Sequence, residues 1–150
     1  MRLVIQRVTR ASVSIAGFVH SSIDAGMMVL VGVETGDTPA DVEWLAGKGA
    51  ALRIFNDEEG VMNRSIIDAG GDLLAVSQFT LTASTRKGNR PSYIRAARPE
   101  EAVPLYELFC SMMEERLGKE VKRGVFGADM QVWLINDGPV TIIIDSRLKE

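Results

Sequence analysis

Cysteine and histidine are nearly missing from this 150-residue sequence, which has one of each. A lone Cys110 excludes an internal disulfide and any multi-cysteine zinc site, and it suits a reducing compartment. His20 stands in a Ser-rich turn region. A Ser-His-Asp triad built on it would have no G-x-S-x-G nucleophile elbow, so a solvated loop histidine is the simpler reading. The longest apolar stretch, Met27–Val33, falls far short of the roughly 20 residues that span a bilayer. The segment MRLVIQRVTR is interrupted by Gln6, Arg7 and Arg10 and lacks the apolar run of a signal peptide. Also absent are a Walker loop, the Rossmann glycine pattern, HExxH and an EF-hand loop, so no cofactor and no catalytic metal are expected. No repeat and no linker divides the chain, which predicts one domain over residues 1–150. The expectation is a soluble cytoplasmic protein with no membrane partner.

What is present is an ordinary globular composition, 46% hydrophobic and 25% charged with a net charge of −3. Folding a chain of this size buries roughly 68–70% of its unfolded surface, which supports a core without metal or disulfide. Residues 2–10 and 11–16 read as strands, because Val13 and Ile15 alternate with Ser12 and Ser14. MMVLVGV (27–33) is apolar on both parities, which predicts a central strand. Thr38-Pro39 opens a helix with Asp41 in its first turn and Val42, Leu45 and Leu52 on its buried face. A short apolar segment at 53–55 ends in the turn NDEEG (56–60). DLLAVSQFTL (72–81) reads as a buried strand running into the polar loop STRKGNRPS (84–92). A second helix is expected over about 100–117, ended by Gly118, with Pro104 delaying its start or making its first turn irregular, and with Cys110 on its apolar face. Two closing strands, 130–135 and 140–144, flank the turn Asn136-Asp137-Gly138-Pro139. The fold class predicted is α+β, a mainly antiparallel β-sheet with two principal helices.

Three features bear on chemistry. Between Asp72 and Glu100 there is no acidic residue, while Arg86, Lys87, Arg90, Arg95 and Arg98 all fall there. That window carries +5 in a chain whose remainder carries −8. Such segregation fits contact with phosphate or an RNA backbone, and a merely solvated loop is the alternative. The second feature is Ser77-Gln78-Phe79-Thr80-Leu81, where polar side chains interrupt the end of an apolar strand. Small hydroxyls and backbone N–H groups there could polarise an ester carbonyl, but no general base neighbours Ser77 or Thr80. A structural role and a catalytic role both remain open. The third is Asn136-Asp137-Gly138-Pro139-Val140-Thr141, which as a bare pattern is a turn.

Taken together, MRLVIQRVTRASV, SQFTL (77–81), Arg-Pro-Ser (90–92), FGADM (126–130) and NDGPVT (136–141) resemble the D-aminoacyl-tRNA deacylase family, in its order and spacing, along the whole chain. The resemblance implies a homodimer that hydrolyses the ester joining a D-amino acid, or mischarged glycine, to the 3′-terminal adenosine of tRNA, in chiral proofreading of translation. It implies a cis Gly138-Pro139 peptide inserted into the partner's active site, where it excludes an L side chain. Ser77, Gln78, Phe79 and Thr80 would line the adenosine and carbonyl pocket, Arg7 would brace the Gly-Pro loop, and Phe126 and Met130 would shape the pocket. Arg86, Lys87 and Arg90 would meet tRNA phosphates, with tRNA and a second copy as partners and no DNA. A wedge suits the task, because many side chains must be accepted while one handedness is refused. An aminoacyl ester is already activated, so positioning and backbone donors can carry most of the catalysis. Thr80 and Phe79 are then read as carbonyl-positioning residues. A non-catalytic RNA-binding module using residues 86–98 is the competing reading, and a small-molecule esterase with a Ser77 or Thr80 nucleophile is a third.

Overall fold

The computed structural model describes all 150 residues. Its axis is β1 (Arg2–Ile15), one long strand where two were expected. It stays continuous because each half finds a partner. Arg2–Val8 pair antiparallel with β3 (Gly26–Gly32), and Ala11–Ile15 pair with β2 (Phe18–Ile23). β3 also pairs in parallel with β6 (Asp72–Ser77), which pairs in parallel with the short β7 (Lys122–Arg123). The sheet is therefore mixed, antiparallel around β1 and parallel beyond β3. Parallel neighbours need long crossovers. The first contains α1 (Pro39–Ala51), the hairpin β4 (Phe55–Asn56) with β5 (Met62–Arg64), and the one-turn α2 (Ile66–Ala69). The second contains α3 (Pro99–Leu117). Three helices are present rather than two; Ile66–Ala69 is too short to show a periodic signal.

β3 is central, and its double-sided apolarity has a direct cause. Met27, Val29 and Val31 join the larger core with Leu45 of α1 and Phe109 and Met113 of α3. Met28 turns to a second core with Val8, Val13, Leu74 and Val76 on the opposite face. A strand covered on both faces reads as a continuous hydrophobic run. At the start of α1 the Asp41 carboxylate accepts the Thr38 backbone N–H at 2.9 Å, as its place in the first turn predicted. α3 starts at Pro99 and passes through Pro104, contrary to the expected delay. The amide that Pro104 lacks would have met the carbonyl of Glu100, an exposed first-turn residue that water can solvate. Gly118 closes α3 in a left-handed conformation, its N–H 2.9 Å from the Glu114 carbonyl.

Cys110 is fully buried on the inner side of α3, and that burial pushes its thiol up to about 11. Iodoacetamide at neutral pH is therefore expected to leave Cys110 unmodified in the native protein and to label it after unfolding. Labelling of the native chain at the rate of a free thiol would contradict this placement.

The main departure from the sequence reading is at the last strand. Residues Gln131–Asp145 form a single β8, antiparallel to β1 along its whole length. Thr141–Asp145 pair with Arg2–Gln6, and Gln131–Asn136 pair with Val8–Ser14. Both halves thus run in the same direction, so Asn136–Pro139 do not reverse the chain. They bulge out of β8 opposite Arg7. No helix is long and apolar enough to cross a membrane.

Candidate active site

An apolar cleft of about 520 Å³ opens where β6 ends. Its floor comes from Val31, Val33 and Val76, and one wall from the small residues Ala96, Ala97 and Ala102. Tyr106, Phe126, Ala128, Asp129, Met130 and Val132 form the other side. Ser77, Gln78 and Phe79 form its rim. The expected strand over 72–81 stops at Ser77. Gln78 still donates its backbone N–H to Val31 (2.8 Å), and Phe79–Thr82 then wind into a 3₁₀ turn. That change of direction carries the Phe79 ring outward, more than half exposed, while Thr82 is buried and its hydroxyl donates to the Phe79 carbonyl at 2.9 Å.

Two groups of predicted residues meet in this cleft: Ser77, Gln78 and Phe79 from β6 and its turn, and Phe126 and Met130 from the segment before β8. Thr80 does not line it. Thr80 faces a shallower groove with Arg2, Leu81, Ile143 and Asp145, and its hydroxyl oxygen accepts a hydrogen bond from the Gln78 side-chain amide. Tyr106 of α3, which was not among the expected site residues, donates its hydroxyl to the Ala75 carbonyl at 3.0 Å. Its ring lies 6.1 Å from that of Phe126. Burial raises its pKa well above the usual phenol value, so it remains a protonated donor that fixes the cleft wall against β6.

Gly138 and Pro139 lie outside the cleft, in the β8 bulge, and their peptide bond is cis. Arg7 organises this bulge from below. Its buried guanidinium places Nε 3.0 Å from the Asp137 carbonyl and 3.3 Å from the Asp137 carboxylate. Nη1 donates to the Ile54 carbonyl at 2.6 Å and to Asn56 Oδ1 at 3.3 Å. The Asn136 side chain accepts the Val140 N–H at 2.8 Å, closing the bulge from its other side. Gly138 has φ +130°, and a Cβ there would lie 2.8 Å from Val140 Cγ2 and 3.1 Å from Arg7 Nη2. Glycine is required at this position by both conformation and space.

Arg86, Lys87 and Arg90 are exposed on a loop closed by paired backbone bonds between Ser84 and Ser92. Arg95 from the same basic window is engaged otherwise, donating Nη2 to the Thr82 carbonyl at 3.1 Å.

Residues 4–145 match the family model described as D-Tyr-tRNA(Tyr) deacylase. The chain belongs to that family. Relatives named D-aminoacyl-tRNA deacylase are 63% identical in Porphyromonas gingivalis, 60% in Parabacteroides distasonis and 59% in Bacteroides thetaiotaomicron, each over the full length of both chains. A solved structure described as c-Myc DNA Unwinding Element Binding Protein is 41% identical, with a TM-score of 0.91 over 97% of this chain and 98% of that one. Another, described as a probable eukaryotic D-amino acid tRNA deacylase, superposes with a TM-score of 0.83 over 95% of this chain and 97% of that one. At 17% identity it speaks for the shared α+β fold alone.

Within this deacylase-family fold, the cleft residues that sequence reasoning missed include Ala96, Ala97 and Ala102. A small apolar residue leaves room by having little side chain, and nothing in a linear pattern separates that use from ordinary packing.

Proposed function

We propose that this chain hydrolyses the ester between a D-amino acid, or mischarged glycine, and the 3′-terminal adenosine of tRNA, acting in the cytoplasm as a single-domain protein paired with a second copy. Water cleaves the acyl–oxygen bond, releasing the amino acid and leaving the hydroxyl on the ribose. The observation that carries the reading is the meeting of Ser77, Gln78 and Phe79 with Phe126 and Met130 around one apolar cleft, in a chain of the D-Tyr-tRNA(Tyr) deacylase family. Terminal adenosine and ester enter this cleft. Phe79 and Thr80 position the carbonyl, the first by its place on the rim and the second through its link to Gln78. The first N–H groups of a 3₁₀ turn have no acceptor within it, so those of Phe79 and Thr80 are the donors assigned here to a developing oxyanion. No general base stands beside Ser77 or Thr80 among the side-chain hydrogen bonds, which favours positioning over covalent attack.

Gly138 and Pro139 act on the partner's cleft. Support for this comes from three features of one chain. The bulge does not line its own cleft; β8 pairs with β1 alone and leaves its other edge free; and along β8 the side chains of Trp133, Ile135 and Ile143 are at least half exposed. A long unpaired apolar edge is a surface that proteins cover. A second copy there would cover it and bring a Gly-Pro bulge to each cleft, in keeping with the self-complementary contacts of two-fold dimers. Held by Arg7 and Asn136, the bulge excludes an L side chain by shape and accepts many D side chains because it offers only backbone.

Arg86, Lys87 and Arg90 meet tRNA phosphates. The Arg86→Ala, Lys87→Ala double variant is expected to weaken tRNA binding and to reduce the slope of log affinity against log salt by about 2, one for each cation removed. Titrations at several salt concentrations measure this, and an unchanged slope would take both residues out of the interface. The reading as a whole is tested by incubating the purified chain with D-tyrosyl-tRNA. Release of tyrosine is expected; tRNA binding with the ester left intact would make the protein a non-catalytic RNA-binding module.

A further inference from the structure

Tyr93 has no part in the site described so far, yet it is one of the few aromatic residues on the surface, and its ring meets Phe79 edge to face, with centroids 5.2 Å apart and planes at 69°. In an edge-to-face pair only one of the two rings has a face covered by the other. Phe79 is 55% exposed and Tyr93 41%. A core aromatic would be covered, and a mobile surface aromatic would not be so firmly anchored. The Arg95 guanidinium ties this segment to the Thr82 carbonyl by two bonds, 3.1 and 3.3 Å long. The Thr35 N–H holds the Arg95 carbonyl at 3.0 Å, and Ala96 N–H closes a turn onto the Tyr93 carbonyl at 2.9 Å. Beside it, Ser84 and Ser92 exchange backbone bonds of 2.8 and 2.9 Å, so the loop bearing Arg86, Lys87 and Arg90 starts and returns next to Tyr93. The order in space is apolar cleft, Phe79, Tyr93, cationic loop.

A ligand leaving the cleft along this path meets a flat apolar surface and then positive charge with no acidic residue between Asp72 and Glu100. Unpaired nucleotides combine these properties, with a π-face on every base and one negative charge per linkage. Aromatic platforms bordered by basic residues are how proteins hold single strands with little regard to sequence. We infer that Tyr93, supported by Phe79, is a stacking platform for the unpaired nucleotide that precedes the terminal adenosine, with the phosphates of that strand directed to Arg86, Lys87 and Arg90. The inference rests on the proposed reading of the cleft as the site of the terminal adenosine. Tyr93 is then a binding residue that separates tRNA from shorter esters, with no part in the reacting atoms.

The test compares two substrates and two variants. D-Tyrosyl-tRNA carries the preceding nucleotides, while 3′-O-(D-tyrosyl)adenosine has none. Tyr93→Leu keeps apolar packing against Phe79 but removes the flat ring, and Tyr93→Phe keeps the ring. The expected result is that Tyr93→Leu raises KM for the tRNA substrate roughly tenfold more than KM for the adenosine ester, the size of a single base stack, with kcat little changed. Tyr93→Phe should stay within about twofold of the parent on both substrates, since stacking needs the ring and not the hydroxyl. Equal effects of Tyr93→Leu on both substrates would make Tyr93 a mere support of Phe79 and overturn the platform. No effect on either would overturn it too. If the parent protein cleaves neither ester, the reading of the cleft itself fails, an outcome distinct from both.

Discussion

Replacing Gly138 by alanine is expected to slow hydrolysis of D-tyrosyl-tRNA by about a hundredfold and to narrow the preference for the D over the L ester. The geometry leaves the new methyl no room: 2.8 Å from Val140 Cγ2 and 3.1 Å from Arg7 Nη2. With φ at +130°, the backbone is also one that an L-residue adopts at a cost of about 1–3 kcal/mol. Relief requires the bulge to move, and displacement of a positioning group by about 1 Å can lose on the order of a hundredfold in rate. The melting temperature should fall more modestly, by about 3–10 °C for a chain of this size. Rates on both esters and a thermal melt measure these effects together. Full rate with full discrimination in Gly138→Ala would remove the bulge from the reaction.

Arg7→Ala should be the more damaging change to the fold. The guanidinium is buried and spans two backbone carbonyls from different parts of the chain, Ile54 after α1 and Asp137 in the bulge. Its removal leaves both without a donor, at about 1–3 kcal/mol for each unsatisfied group. The ion pair with the Asp137 carboxylate adds little, because that carboxylate is half exposed. A total near 3 kcal/mol corresponds to a fall of about 6–12 °C in melting temperature. Arg7→Lys should recover only part of it, since one ammonium on a flexible stem cannot reach both carbonyls as the planar fork does. The discriminating readout is activity at a temperature where all variants are folded. Arg7→Lys should then show reduced discrimination between D and L esters while its cleft, remote from the substitution in sequence, is intact. A variant equal to the parent in both melting and selectivity would show that Arg7 does not hold the bulge.

Much of the architecture was legible because it is written in local chemistry. Thr38-Pro39 with Asp41 marks a helix start, Gly118 a helix end, and the apolar run at 27–33 a strand covered on both faces. Cys110 was legible as a core residue from its position on the apolar face of α3. What escaped depends on pairings distant in sequence. Asn-Asp-Gly-Pro between two apolar segments makes a hairpin turn if those segments pair with each other, and a bulge if both pair with a third strand. Here β1 is long enough to hold both, and no local pattern announces that. Pro104 misled for a related reason: its penalty depends on where the orphaned carbonyl falls, which is the solvent side of the first turns of α3. For the site, the polar side chains of Ser77 and Gln78 at the end of a buried strand asked for an explanation without deciding between a structural and a catalytic one, and only the resemblance to the deacylase family added Phe79 and a pocket. Thr80 shares their motif but the 3₁₀ turn sends it to another groove. Tyr106 was hidden inside a helical stripe where its hydroxyl carried no signal.

The most direct measurement is a paired time course of hydrolysis of D-tyrosyl-tRNA and L-tyrosyl-tRNA under identical conditions. Rapid loss of the D ester with the L ester spared is the result expected from a backbone bulge proposed to refuse one handedness whatever the side chain. Equal loss of both esters would mark a general esterase and contradict the assignment of Gly138 and Pro139 to chiral exclusion.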